Sequence, residues 1–301
     1  MKRLLRTDSK IFPFLSLGIL ALIWGSSFIL IKRGLEAYSP VQLGALRVVI
    51  SGLVLLPFAI QSHKQYLKQY WKKFLFFATI SNLLPAILFA KAEMELSSSL
   101  TGILNSTTPI FTFLIGIFIY KAKFRFNQAL GLTLGIAGSV VLILFSGGDL
   151  GDVNFYAFFV VLATLFYGIS SNFLKKNFSS INPIALTSLA FMTVMPVAFV
   201  ILIFSGFFST AFTHPNALPS FFYILILAVV GTAMALMLFN KVIQETSPVF
   251  ASTTTYLIPI VAVIWGVLDG ETISVWHIAG MALIISGIWF INKVAVSKAE
   301  G

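Results

Sequence analysis

The chain has 301 residues, 58% of them hydrophobic and 10% charged, with a mean hydropathy of +0.97; a soluble domain carries about 25% charged residues, so a water-soluble globular fold is excluded. Lys and Arg outnumber Asp and Glu to give a net charge of +10, but the basic residues flank apolar runs instead of forming a stripe on a polar domain, which argues against nucleic-acid binding. The absence of cysteine removes disulfides, thiolate metal sites and cysteine nucleophiles.

A bilayer core about 30 Å thick takes about 20 apolar residues in a helix. In chain order, spans are predicted at 12–31, 41–60, 74–92, 98–120, 127–145, 154–174, 183–205, 219–240, 248–268 and 274–292. Barrel strands alternate apolar and polar residues, whereas these runs are continuously apolar. The expectation is therefore an all-α membrane protein with ten transmembrane helices, whose longest loops are 61–73 and 206–218. With both termini cytoplasmic, sixteen Lys and Arg fall on the inner side and three (Lys32, Arg33 and Lys91) on the outer side, with Arg47 inside span 2. This sorting is the one favoured for a bacterial inner (plasma) membrane protein.

The two halves match each other. Trp24-Gly25, Lys32-Arg33 and Pro40 keep the spacing of Tyr167-Gly168, Lys175-Lys176 and Pro183, an offset of 143. At an offset of 150, Phe89, Lys91, Glu95, Ser97, Pro109 and Gly116 correspond to Phe239, Lys241, Glu245, Ser247, Pro259 and Gly266. Each copy holds five spans, an odd number, so the second enters the membrane inverted. The expected units are a first repeat over 1–148 and a second over 149–301. Inverted repeats are a common build of secondary transporters.

These features resemble the EamA family of the drug/metabolite transporter superfamily. The resemblance covers about 14–292 and rests on the aromatic-Gly pairs, Pro40 and Pro183, and the small-residue run into Pro109. It is strongest over the segment from Pro259 to Gly270-Glu271 and on through Trp276, Gly280 and Gly287. In the first copy, Tyr120-Lys121 stands where the Gly-Glu pair would recur. The resemblance implies efflux or exchange of small metabolites, amino acids often among them.

Polar residues inside spans are costly and mark cavities. Asn105, ahead of Pro109 in span 4, and Tyr256, ahead of Pro259 in span 9, are candidates for substrate binding. Asn82, beside Pro85 in span 3, is another; its repeat counterpart is Thr232. Trp24 and Tyr167, at equivalent points of spans 1 and 6, complete the set. Pro85, Pro109 and Pro259 are expected to break helices or gate, because proline removes a backbone donor. The neighbouring hydroxyls have the alternative of bonding back to their own helix. Arg47 is read as structural, snorkelling or paired with Glu93 or Glu95. The alternative is that it holds a substrate carboxylate. Glycines of span 5 (Gly131, Gly135, Gly138) and span 10 (Gly280, Gly287) are expected to pack close helices.

Every Asp and Glu falls at or beyond a span end, which disfavours a buried proton relay. No phosphate-binding loop is present, and the three histidines are too scattered for a metal site. No catalytic residues, metal or cofactor are expected. The expected function is a secondary transporter, exporting or exchanging small metabolites such as amino acids or related amphipathic solutes. It would work by alternating access around a midplane cavity, as a uniporter or exchanger, or at most with coupling through a carboxylate near a span end. Its expected partners are a small-molecule substrate and the lipid bilayer, with no nucleic acid, and the chain acts as a monomer or weak homodimer. The alternative, an intramembrane enzyme or receptor-like protein acting on lipid or peptide, lacks a catalytic set.

Overall fold

The computed structural model describes residues 11–96, 98–123, 125–145, 155–268 and 274–296. The regular elements among these residues are all helices, with no strand. The helices are α1 (Phe12–Gly25), α2 (Ser27–Gly34), α3 (Pro40–Ala78), α4 (Leu84–Ala92), α5 (Ser98–Asn105), α6 (Thr108–Phe118), α7 (Phe126–Phe145) and α8 (Ala157–Asn177). They continue with α9 (Pro183–Phe204), α10 (Phe207–Thr213), α11 (Ala217–Ala228), α12 (Ala235–Glu245), α13 (Pro248–Ser252), α14 (Thr254–Leu268) and α15 (Val275–Val296). Two short π-helical segments, Thr79–Leu83 and Val229–Met234, join α3 to α4 and α11 to α12.

Among the described residues, five stretches are long and apolar enough to cross a membrane: Phe12–Gly34, Pro40–Ala92, Ala157–Asn177, Pro183–Phe204 and Ala217–Glu245. Shorter apolar helices lie at Thr108–Phe118, Phe126–Val141, Pro248–Val261 and Val275–Ile291. Large apolar side chains such as Phe204, Phe212 and Phe155 are exposed, as lipid-facing residues should be.

The expected loop 61–73 is helical, and so is most of 206–218. Residues 61–73 contain no Gly or Pro, so nothing in them stops a helix. A straight helix would set Gly44 and Ile87 about 65 Å apart at 1.5 Å per residue. Instead, a Cβ on Gly44 would meet Ile87 Cγ1 at 2.5 Å. The Pro40–Ala92 stretch therefore folds back on itself, and its two ends lie side by side.

Three predicted single helices are interrupted: span 1 at Ser26, span 4 at Ser106–Thr107 and span 9 at Thr253. In span 4 the cause is Pro109, which cannot donate to the Asn105 carbonyl. The Thr108 hydroxyl donates to that carbonyl instead, at 2.8 Å. Pro85 and Pro109 both sit in the first turn of the helices that follow the irregularities, where no backbone donor is needed. Pro259 departs from the expectation. It lies inside α14, and the break falls earlier, at Thr253. Around that break, the hydroxyls of Ser252, Thr253, Thr254 and Thr255 donate to the carbonyls three residues back. They compete with the helical ladder and displace the break from the proline.

The most extensive helix packing joins α3 to α9 and α7 to α15. At the second contact, Cβ atoms on Gly131 and Gly287 would each come within 2.5 Å of the other residue's carbonyl oxygen. Only glycine permits this approach. Gly138 meets the Gly280 carbonyl in the same way, at 2.6 Å.

Candidate functional site

The aromatic-Gly pairs have a structural reason. Gly25 of α1 packs on α14, where its Cβ would lie 3.1 Å from Val261. Gly168 of α8 packs on α6, where its Cβ would lie 2.9 Å from the Phe111 backbone. Val261 and Phe111 are themselves 150 residues apart, so the same contact is built twice, each time across the two halves. The aromatic residue before each glycine then faces a cavity between the halves.

Space not filled by atoms in this cavity amounts to about 1050 Å³, solvent at its mouth included. Its aromatic wall repeats the same logic. Trp24 meets Phe239 edge-on with ring centres 5.1 Å apart, and Tyr167 stacks on Phe89 at 5.9 Å. Each pair joins one half to the other, and the two pairs are made of repeat counterparts. The Trp24 indole N–H donates to the Gly231 carbonyl at 3.0 Å, inside the second π segment.

The π segments begin at Thr79 and Val229, again 150 residues apart. A π turn widens the helix and leaves its backbone bonds weaker; such turns recur at functional sites. Here each one turns a polar side chain to the cavity: Asn82 from the first and Thr232 from the second. Asn82 Nδ2 donates to Ser81 Oγ at 2.7 Å, which leaves its carbonyl oxygen to the cavity. Thr232 Oγ1 donates to the Leu227 carbonyl at 3.0 Å.

Of the residues expected from the sequence, Trp24, Asn82, Asn105 and Tyr167 are brought together on the cavity wall. Tyr256 is not among them. It is fully buried, its ring lies against Gly135, and its hydroxyl donates to the Leu132 carbonyl at 3.1 Å. It locks α14 to α7. Pro85, Pro109 and Pro259 are buried off the wall, and the polar residues beside the first two reach it.

Arg47, expected to be structural, lines the cavity, where its Nε donates to Thr232 Oγ1. It forms no ion pair with Glu93 or Glu95 among the described residues. The signal for it was its repeat counterpart: 143 residues on stands Ala190, so the charge breaks an otherwise doubled pattern. Asn240, not expected from the sequence, also lines the cavity, with its Nδ2 donating to Thr187 Oγ1 at 2.9 Å; its repeat counterpart is Ala90, so it too breaks the doubled pattern.

Glu93 follows α4, at a span end as expected, but it is only 7% exposed. Neither of its carboxylate oxygens has a hydrogen-bond partner. Burial pushes this carboxyl well above the ordinary carboxylate range, against the opposing pull of Lys32 and Arg47. Glu36 is exposed and paired with Arg33 at 2.6 Å. Asp269 and Glu271 lie outside the described residues. Among the described residues, no cluster of His, Asp and Glu could hold a metal ion.

The model of the EamA-like transporter family matches residues 12–144 and 154–293. The chain belongs to the EamA-like transporter family. Among EamA relatives, it is 25% identical to "Uncharacterized inner membrane transporter YedA" of Escherichia coli K12, over 91% of this chain and 89% of that one. It is also 25% identical to "Uncharacterized transporter YoaV" of Bacillus subtilis, over 94% of this chain and 98% of that one. A third relative, the "Probable amino-acid metabolite efflux pump" of Salmonella typhimurium, is 25% identical over 92% of this chain and 93% of its own. A crystal structure described only as that of a protein shares the fold, with a TM-score of 0.73 and 16% identity over 96% of this chain and 99% of that one. The EamA chain is thus a membrane transporter of the drug/metabolite type.

Proposed function

We propose that this EamA transporter exports or exchanges small amphipathic metabolites, amino acids or their relatives among them, by alternating access around the cavity between its halves. The observation that carries this reading is the doubled wall. Trp24 with Phe239 and Tyr167 with Phe89 face one space from opposite halves, beside two π segments at equivalent positions. A site shared by two related halves can be opened to either side by exchanging their conformations. Aromatic faces and the amides of Asn82, Asn105 and Asn240 suit a solute with an apolar body and polar groups. The Salmonella relative's printed name, an amino-acid metabolite efflux pump, supports the same substrate range.

The reading includes ten spans in two inverted five-helix repeats, with a boundary near 148–149 and both termini cytoplasmic. The paired family matches, the doubled contacts and the sorting of basic residues support it. Transport is proposed to be uniport or exchange. Glu93 is the first residue to neutralise if a pH gradient drives accumulation.

The test is counterflow in proteoliposomes preloaded with unlabelled amino acids, sugars or amines. The expected result is transient accumulation of a labelled solute, recovered chemically unchanged and insensitive to protonophore. Chemical conversion of the solute, or no movement of any tested class, would remove the reading.

A further inference from the structure

Arg47 poses a problem that the carrier reading alone does not solve. Among the described residues that line the cavity, it alone carries a charge. An arginine cannot shed its proton to escape burial, and an unpaired one within a span is expensive. Of its five N–H donors, only the one on Nε is used among the described residues, on Thr232. The terminal nitrogens find no acceptor among the described residues. The groups that act on its charge are Tyr167 from α8 and Glu93 after α4, with Lys32 of α2 beside Glu93. Glu93 forms no ion pair with it. The Tyr167 hydroxyl is also without a partner among the described residues, although its ring is fixed on Phe89.

The two halves differ at this point. Trp24 has its polar atom occupied by the Gly231 carbonyl, whereas its counterpart Tyr167 keeps its hydroxyl unspent. Arg47 has only Ala190 opposite it in the repeat. The cavity wall therefore presents one cation, with the Tyr167 hydroxyl acting on its charge, among aromatic faces, amides and small hydroxyls.

We propose that Arg47 and Tyr167 form a carboxylate-binding subsite, so that the solute carried is an amphipathic organic acid, amino acids included, oriented with its carboxylate on Arg47. The terminal guanidinium nitrogens match a carboxylate in paired hydrogen bonds, and the Tyr167 hydroxyl donates a further one. The bound carboxylate also supplies the counter-charge that Arg47 lacks. The apolar body of the solute then lies along Trp24 and Phe239. This assignment rests on the carrier reading for its biological meaning, but its test does not.

The probes are 3-phenylpropionate and its uncharged amide, 3-phenylpropionamide, titrated into the purified full chain in lipid nanodiscs. The acid is expected to bind at least about tenfold more tightly than the amide, the scale of a charge-assisted pair. Arg47→Gln should erase that preference, and Arg47→Lys should keep only part of it. Tyr167→Phe, which keeps the ring on Phe89, should lower acid affinity about three- to fivefold without moving amide affinity. Each variant's melting temperature reports folding, and Tyr167→Phe carries the test if Arg47→Gln does not fold. Equal binding of acid and amide, no binding of the acid, or a preference that survives Arg47→Gln or is untouched by Tyr167→Phe would overturn the subsite. Counterflow of amines or amides with acids excluded would keep the carrier reading and remove this one. Failure of all counterflow with acid binding intact would do the reverse.

Discussion

Glu93 is the residue whose environment departs furthest from what its position in the chain implies. It follows the last turn of α4, where a carboxylate would ordinarily reach water, but it is buried with both oxygens unpaired. A buried ionised carboxylate without a partner is costly, so the neutral form is favoured. Burial therefore raises the folded-state pKa well above 4.5, the ordinary value for a glutamate. The folded protein therefore holds this proton more tightly than the unfolded chain does, and stability falls as pH rises from about 4.5 through the raised folded value. Glu93→Gln mimics the neutral form. It should flatten that part of the melting-temperature profile in nanodiscs and leave the acidic end unchanged. A wild-type profile that coincides with the variant's from pH 4.5 to 8 would show that Glu93 is solvated or paired. Its burial could not be read from the chain, because it depends on how neighbouring helices close over a span end, and hydropathy carries no information on that; for Arg47 the chain did hold a signal, the uncharged Ala190 at the equivalent place in the repeat.

At the scale of helices, glycine placement separates contacts that matter from those that do not. A Cβ at Gly131 or Gly287 would sit 2.5 Å from a backbone carbonyl of the facing helix, whereas one at Gly18 would meet nothing within 4 Å. Gly287→Ala should therefore force α7 and α15 apart and cost on the order of 1–3 kcal/mol, as overpacking does. Gly18→Ala should be neutral or slightly stabilising. Thermal unfolding of the two variants in the same detergent checks both; equal melting temperatures would contradict the packing. This glycine pairing was legible from the sequence, because Gly131, Gly138, Gly280 and Gly287 fall in two spans that occupy equivalent places in the repeat. The interruption of span 4 was legible from Pro109. The π segments were not, since no residue type encodes a π turn; what could be seen was only that Asn82 and Thr232 occupy equivalent positions. The run of hydroxyls before Pro259 brings Ser252 and Thr255 to the cavity wall but not Tyr256. Its side chains satisfy carbonyls locally, and Tyr256 points to α7 instead of the cavity.

For the molecule as a whole, the repeat seen in the chain reappears as doubled contacts: Gly25 on Val261 with Gly168 on Phe111, and Trp24 on Phe239 with Tyr167 on Phe89. Matching residue types at fixed offsets were enough to find these positions, because each half must build the same interface against the other. The proposed orientation, with both termini cytoplasmic, rests on charge sorting. A cysteine at Asn216 should be labelled only from outside intact cells, and one at Gln65 only after permeabilisation; the reverse pattern would invert the topology. The central claim, that the cavity is the transport path and opens to each side in turn, has a more direct test. The chain has no cysteine, so Asn82→Cys gives a single reporter on the cavity wall. Its reaction with a membrane-impermeant maleimide is measured in sealed right-side-out and inside-out vesicles, with and without a transported solute. Labelling from both sides, slowed by the solute in each case, is the predicted result, and labelling from one side alone, under every condition, would contradict alternating access.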